Sequence, residues 1–371
     1  MSDEGSPVSG SWSARVRVRQ AWERGMAPPV ALGLSAVTAG YRGLLEVRER
    51  LYGWGVLRSR RLQCPVISIG NLTLGGSGKT PAVELAVRTL QELGVRPAVV
   101  SRGYGRRSSG VQVVADRTGL RADPQGAGDE PFLLARRLSG VPVVVGENRY
   151  EAGRRCLESF GVEVLVLDDA FQHRTVEKDL EIVLVSGRSP WGNGHLFPRG
   201  PLREPLSALA RAHLVMVVGG EPPERARVGE EVRRHNLEAP IVAADYEPLE
   251  CWQVRETAPC APDTLLGRRL LGFAGIARPD GFRRTVERLG VSLTGLVEFP
   301  DHYWYEPEDL AALVRQADAA GAEGLVTTEK DYVRLSAIAL RTIPIWILSV
   351  RLRLTEGHAR WREAFEGVLR R

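Results

Sequence analysis

Four cysteines in 371 residues, Cys64, Cys156, Cys251 and Cys260, are scattered, with no Cys-x-x-Cys pair and no Cys/His metal spacing. This argues against a disulfide framework or a zinc centre, and the thiols read as buried or incidental ones in a reducing compartment. No uninterrupted apolar run reaches the ~18–20 residues that a membrane-spanning helix needs. No internal repeat is visible. Neither sign of charge dominates, since 50 Lys and Arg stand against 45 Asp and Glu for a net charge of +5. That mild basic excess suits anionic small molecules, phospholipid surfaces or nucleic acid without choosing among them. Without an aromatic–basic module, nucleic-acid binding has only the charge behind it and is not expected. Hydrophobic and charged contents of 43% and 26% are those of a globular chain, so disorder does not describe it. A single core stops growing near ~250–300 residues, so two domains are expected.

What the chain does contain is a phosphate cradle. The apolar run Pro65-Val66-Ile67-Ser68-Ile69 leads into Gly70-Asn71-Leu72-Thr73-Leu74-Gly75-Gly76-Ser77-Gly78-Lys79-Thr80-Pro81, and a helical pattern follows through Ala82, Leu85, Ala86 and Leu90. In a strand–loop–helix unit of this kind, the glycines let backbone N–H groups converge on phosphate oxygens. Lys79 can reach the terminal phosphates, and the Thr80 hydroxyl can hold Mg²⁺ at the helix N-terminus. Thr73, Leu74, Gly75, Gly76, Ser77, Gly78, Lys79 and Thr80 are therefore the expected nucleotide-binding residues. The general pattern G-x-x-x-x-G-K-[ST] asks for glycine where this chain has Thr73.

Residues Met1–Ser13 are Ser/Gly-rich and read as disordered. After them, Arg15, Arg17, Arg19, Arg24, Arg42, Arg48 and Arg50 bracket a short apolar stretch from Pro28 to Val37, with Trp22, Tyr41, Leu44, Leu45, Leu51, Tyr52 and Trp54 interspersed. This mixture fits an amphipathic helix in a membrane interface, or one packed on its own domain. The expected organisation is a basic membrane-associating segment over residues 1–60, a P-loop domain over 61–235 and a smaller α/β domain over 236–371. Strands are expected at 97–101, 111–114, 142–146, 162–167, 181–185 and 213–218, alternating with helices, which implies a parallel, doubly wound sheet covered on both faces. Residues 240–254 read as a strand pair bridging to the second region. That region shows helices near 279–289 and 307–319, strands at 295–299, 324–328 and 344–348, and a last helix to Arg371.

In such sheets the ligand lies beyond the carboxyl ends of the strands. Val164-Leu165-Val166-Leu167 ends in Asp168-Asp169, the form of a Walker B element, though aspartates there also cap turns. Asp129-Glu130-Pro131 offers a second carboxylate pair, either a group able to accept a hydroxyl proton or a simple helix opening. Arg102-Gly103-Tyr104-Gly105-Arg106-Arg107 is a basic loop apt for a second phosphate, or a solvated loop.

These stretches, together with Gly200-Pro201-Leu202-Arg203-Glu204-Pro205 and Phe299-Pro300-Asp301-His302, occur in the order that resembles the tetraacyldisaccharide 4'-kinase family, the lipid A kinases. The chain departs from the family pattern at Ala170, where glycine is usual, and at Tyr303, where many members have a second histidine. The resemblance implies transfer of the ATP γ-phosphoryl group, with Mg²⁺, to the 4'-hydroxyl of an acylated glucosamine disaccharide 1-phosphate. The implied place is an anionic membrane surface, the cytoplasmic face of a Gram-negative inner membrane. It implies Asp129 as general base tuned by His302, Lys79 and Asp168 as further catalytic residues, and Thr80, Asp169 and Glu130 around the metal. Arg102, Tyr104, Arg106, Gln172, His173 and Arg203 are the expected substrate contacts. The competing reading is a membrane-associated P-loop ATPase switch of the partitioning or targeting type. Such a switch needs neither a histidine paired with Asp129 nor the Phe299–His302 element.

Overall fold

The structure is a computed structural model that describes Trp22 and residues 27–76, 78–256, 258–335 and 343–370. The Met1–Ser13 tip, Arg15, Arg17, Arg19, Arg24 and Ser77 lie outside the described residues. Runs of valine, isoleucine and leucine form the strands β1 (Val66–Asn71), β2 (Pro97–Ser101), β3 (Gln112–Asp116), β4 (Gly119–Leu120), β5 (Val143–Val145), β6 (Val164–Asp168) and β7 (Leu180–Ser186). They continue as β8 (Leu214–Val218), β9 (Ile241–Gln253), β10 (Arg269–Ala274), β11 (Ser292–Glu298), β12 (Gly324–Thr328) and β13 (Ile345–Glu356). All join one sheet, in the order β11-β10-β12-β13-β9-β8-β7-β1-β6-β2-β5-β3-β4. β1 is buried along its whole length and pairs in parallel with β6 on one side and β7 on the other. The chain winds outward from β1 in both directions, which puts its carboxyl end at a topological switch point.

The helices are α1 (Pro28–Gly53), α2 (Lys79–Glu92), α3 (Pro124–Ala127), α4 (Asp129–Arg137), α5 (Arg149–Phe160), α6 (Pro222–Arg233), α7 (Pro279–Arg288), α8 (Pro307–Ala319), α9 (Glu329–Tyr332) and α10 (His358–Leu369). α2 buries Ala82, Val83, Ala86, Val87 and Leu90 against Ile67 and Ile69 of β1. Val83, Val87 and Leu90 each contribute ~1.5–3 kcal/mol relative to exposure, and this packing holds the loop between β1 and α2 in place.

The sheet differs from the expected one in four respects. It is mixed, because β9 pairs antiparallel with β13, and β3 pairs antiparallel with β4 and β5. The expected strand pair at 240–254 is the single thirteen-residue strand β9, and β13 runs on to Glu356 rather than stopping at Leu348. These two long strands stitch the halves of the sheet together, and α10 then returns to the first half, where Trp361 Nε1 donates to Thr89 Oγ1 at 2.9 Å. β10 escaped the sequence reading, since Gly272 interrupts its short apolar run.

α1 lies across the first half with Leu45 as its buried residue. Tyr41 Oη donates to the Arg203 carbonyl at 2.8 Å, Arg48 pairs with Glu204, and Arg174 pairs with Glu49. Val30, Val37 and Leu44, at seven-residue intervals along one stripe, remain exposed. No helix among the described residues is long and apolar enough to cross a membrane.

Candidate active site

The glycine loop turns at the carboxyl end of β1 and is braced by the 200–203 segment. Thr73 bridges to Leu202, Leu74 N donates to the Pro201 carbonyl at 2.7 Å, and Arg203 N donates to the Leu72 carbonyl at 2.7 Å. This brace accounts for the absent glycine, because residue 73 is paired as an extended residue rather than turned. Gly78 caps α2 with φ +84°, and a Cβ there would meet Tyr246 Oη at 2.6 Å. Only glycine tolerates both conditions. Lys79 and Thr80 follow, both buried, with Lys79 Nζ 3.7 Å from Asp169 Oδ1.

β6 delivers Asp168 and Asp169 beside this loop. Asp168 Oδ2 accepts from Ser101 Oγ at 2.9 Å, while its Oδ1 is buried with no hydrogen-bond partner among the described residues. Burial, reinforced by Glu130 and Asp169, pushes the Asp168 carboxyl well above the usual range. Asp169 accepts from Arg203 Nη1 at 2.8 and 3.0 Å. Burial opposes its ionisation, yet Lys79 and Arg203 hold its carboxyl below the ordinary value.

α4 begins with Asp129, 5% exposed, whose Oδ2 lies 2.7 Å from His302 Nδ1. Since an ionised carboxylate only accepts, Nδ1 carries the proton. Asp129 Oδ1 accepts from the Glu130 backbone N–H at 2.9 Å, and Arg334 Nε stands 3.5 Å from Oδ2. Burial raises the Asp129 carboxyl, but His302, Lys330 and Arg334 outweigh it and hold the group well below the carboxylate range. Burial in turn lowers the His302 imidazole, while the bond to Asp129 more than offsets this and leaves it raised. Asp169 (φ +48°) and His302 (φ +63°) are the two non-glycine residues with left-handed backbone among the described residues. Each conformation costs ~1–2 kcal/mol, and strain of this kind concentrates at working sites.

The sequence-predicted residues do not all converge. Lys79, Thr80, Asp129, Glu130, Asp168, Asp169, Arg102, Tyr104, Gln172, His173, Arg203 and His302 line one cleft of about 2540 Å³. That is well beyond the ~300–1,000 Å³ of a single small-ligand pocket. The Tyr104 ring lies 5.7 Å from that of His302. Gln172 Nε2 donates to the Asn71 carbonyl at 2.9 Å. Burial, with Arg149, Lys178 and Arg102, drives the His173 imidazole down to about 4.

Arg106 does not reach the cleft. Its side chain is 2% exposed and held by Glu147, by Ser108 and by the Gly110 carbonyl, because a nearby carboxylate captures the guanidinium first. Glu130, expected at the metal, is bonded instead by Lys330 Nζ. Among the described residues no group of three or more His, Cys, Asp or Glu side chains is arranged to hold a metal.

Sequence reasoning missed Arg149, Tyr246, Lys330 and Arg334. Arg149 is 4% exposed with its Nε unpartnered among the described residues, and burial pulls its guanidinium down to about 10. The available signal was an arginine at the first position of α5, against the helix dipole. The cleft also runs past Trp22, Tyr41, Leu45, Arg48 and Phe197 at the α1 side, where aromatic and apolar side chains join the ionic lining.

Residues 30–370 match the tetraacyldisaccharide-1-P 4'-kinase family profile. Among similar curated proteins, the tetraacyldisaccharide 4'-kinase of Syntrophus aciditrophicus (strain SB) is 40% identical over 356 residues, spanning 92% of this chain and 95% of that protein. The enzyme of the same name from Anaeromyxobacter sp. (strain K) is 43% identical across 81% of this chain and 80% of its own length. The crystal structure of an "apo" form of LpxK from Aquifex aeolicus in complex with ATP superposes with a TM-score of 0.73 at 30% identity, covering 91% of this chain and 99% of that one.

Proposed function

The chain belongs to the tetraacyldisaccharide-1-P 4'-kinase family, and on that footing we propose that its cleft transfers the γ-phosphoryl group of ATP to the 4'-hydroxyl of an acylated glucosamine disaccharide 1-phosphate, a step of lipid A biosynthesis. The observation that carries the reading at this site is the Asp129–His302 pair at 2.7 Å in the same cleft as Lys79 and the glycine loop. A P-loop ATPase switch has no use for a carboxylate–imidazole pair of this kind.

The Gly75–Gly78 segment and Lys79 would cradle and neutralise the phosphates. Asp129 would take the proton of the attacking 4'-hydroxyl, with His302 Nδ1–H holding its carboxylate in place. Arg203, bonded to both oxygens of Asp169, orients that carboxylate. Arg102, Tyr104, Gln172 and His173 are the proposed contacts to the acceptor sugar and its phosphate.

The residues present fit a divalent cation. Asp168 has a buried oxygen with no partner among the described residues, its neutral form is favoured by burial and then by the adjacent Glu130 and Asp169, and Asp169 and Thr80 line the same cleft. Thr80, Asp169 and Asp168 would hold Mg²⁺, with Glu130 joining only on release from Lys330. Phosphate oxygens and water would complete a shell that protein ligands alone do not. When bound, the ion supplies charge neutralisation at the transferring phosphoryl group.

Residues 61–235 and 236–371 are proposed to act as two units joined through β9 and β13, whose approach assembles the site. α1 is proposed to lie on an anionic membrane surface, the cytoplasmic face of the inner membrane. This is supported by a charge-free stretch from Pro28 to Tyr41, by the exposed Val30–Val37–Leu44 stripe and by the aromatic and apolar side chains of Trp22, Tyr41, Leu45 and Phe197 in the cleft lining.

The test incubates the purified full chain with γ-labelled ATP, Mg²⁺ and the disaccharide 1-phosphate in detergent. Label should pass to the lipid with wild type and not with Asp129→Ala. Release of phosphate without lipid labelling would point to the ATPase switch instead.

A further inference from the structure

We propose that Arg137 is a positioning residue for phosphoryl transfer: with Glu329 it forms a clasp between α4 and α9 that sets His302 against Asp129. The proposal rests on the reading of Asp129–His302 as the proton-accepting pair.

Arg137 ends the same nine-residue helix that Asp129 begins. Its side chain is 10% exposed, and it reaches three other elements at once. Nε donates to Glu329 Oε2 at 2.8 Å on α9, and Nη1 donates to Glu84 Oε2 at 2.9 Å on the P-loop helix α2. Nη1 also donates to the Val350 carbonyl and Nη2 to Ser349 Oγ, each at 2.8 Å, on the long strand β13. A guanidinium is the one side chain whose rigid fork of five donors can serve such a set.

A second contact makes this a clasp rather than a strut. Lys330, next to Glu329, bonds Glu130 at the other end of α4. Glu130 and Arg137 are seven residues apart, about two turns or ~10 Å, and so share one helix face. A single contact would let α4 pivot about its end. Two contacts of opposite polarity, Glu130 to Lys330 and Arg137 to Glu329, fix both its roll and its slide against α9.

The other side of α9 leads directly to His302. Asp331 is fully buried and accepts from Gly275 N at 2.9 Å and from Tyr305 Oη at 2.8 Å. Arg334, also fully buried, donates to the Gly275 carbonyl at 3.0 Å, and His302 N donates to that same carbonyl at 3.3 Å. His302 thus hangs on Gly275, Gly275 on Asp331, and Asp331 on the helix that Arg137 grips. A shift of α9 along α4 moves the imidazole relative to the carboxylate, and misplacement by ~1 Å can cost ~10²-fold in rate. Glu84 ties the same guanidinium to α2, so the base, its partner and the phosphate cradle share one reference point.

The test measures kcat and KM for ATP, with ATP and the disaccharide 1-phosphate in detergent, for the full chain carrying Glu329→Gln, His302→Ala or both. Glu329→Gln keeps a hydrogen-bonding group of the same shape and removes its charge. Arg137→Lys, which keeps the charge and loses the fork, is the second variant should the first not fold. The expected result is a kcat loss of about 10-fold or more for either, with KM for ATP within about 3-fold of wild type. In the His302→Ala background the same substitution should cost under about 3-fold, since both act through one pair. Multiplicative losses in the double variant, or a raised KM with kcat intact, would overturn the clasp and leave Arg137 as a fold-stabilising ion pair. If His302→Ala and Asp129→Ala both retain wild-type kcat, the reading of the pair itself fails, which is a separate outcome.

Discussion

Replacing His302 by alanine isolates what the imidazole does for Asp129. In the intact site the carboxylate is nearly inaccessible to water, which alone would push its pKa up. The His302 hydrogen bond and charge are the foremost of the opposing causes, ahead of Lys330 and Arg334. Their removal leaves burial less opposed, so the Asp129 pKa must rise. Wild type should therefore show no acid limb from Asp129 at workable pH, because its carboxyl ionises well below the ordinary value, while His302→Ala should acquire one. A charge-assisted hydrogen bond contributes roughly 1.5–3 kcal/mol. At ~1.4 kcal/mol per decade, its loss should lower kcat by about 10- to 150-fold at neutral pH. Removing the base itself in Asp129→Ala should cost more, of the order of 10²–10⁴-fold. The assay is the initial rate of label transfer from ATP to the disaccharide 1-phosphate in detergent, across a pH series at saturating ATP. A His302→Ala profile that stays free of an acid limb, or a kcat equal to wild type, would refute the reasoning.

Gly78→Ala must adopt a left-handed backbone at ~1–2 kcal/mol and must displace Tyr246, whose Oη lies 2.6 Å from the added Cβ position. Denaturant unfolding should show a destabilisation of at least that size, and adding Tyr246→Phe should recover the steric part while leaving the backbone part; equal losses in both variants would remove the contact from the account. Val37→Glu with Leu44→Glu alters side chains that are 59% and 70% exposed, so the fold should survive. Sedimentation with anionic vesicles should weaken by about 10-fold or more, while transfer to detergent-dispersed acceptor stays within about 2-fold; vesicle binding equal to wild type would dispose of α1 as the membrane contact.

The legible parts of this protein are the local ones. The run Val164–Leu167 had to be a buried strand, and Asp168-Asp169 had to stand at its carboxyl end. Gly78-Lys79-Thr80 had to open a helix, and Asp129-Glu130-Pro131 reads as a helix start without any knowledge of the rest. The illegible parts depend on partners far along the chain. Arg102 and Arg106 look alike in sequence, yet one faces the cleft while the other is taken by Glu147, and only the fold brings residue 147 beside residue 106. Glu130 reads as a metal ligand until Lys330 arrives, 200 positions later. β10 was hidden by a glycine in a short apolar run, and the length of β13 by Arg351 and Arg353 on its solvent side.

By itself, the sequence determined the phosphate cradle, the acidic strand end beside it and, through the order of its motifs, the family. These are encoded in spacing and alternation, and backbone sterics convert such patterns into strand, loop and helix over a few residues. The tertiary structure alone decided which charges meet. It set the joining of β9 to β13, the grip of Arg137 on α9 and the strained backbone of Asp169 and His302. It also placed Asp129 and His302, 173 positions apart, at hydrogen-bonding distance. The physical reason is that a carboxylate's chemistry depends on the solvent it loses and the charges it gains, and both are properties of the packed interior rather than of the neighbouring residues.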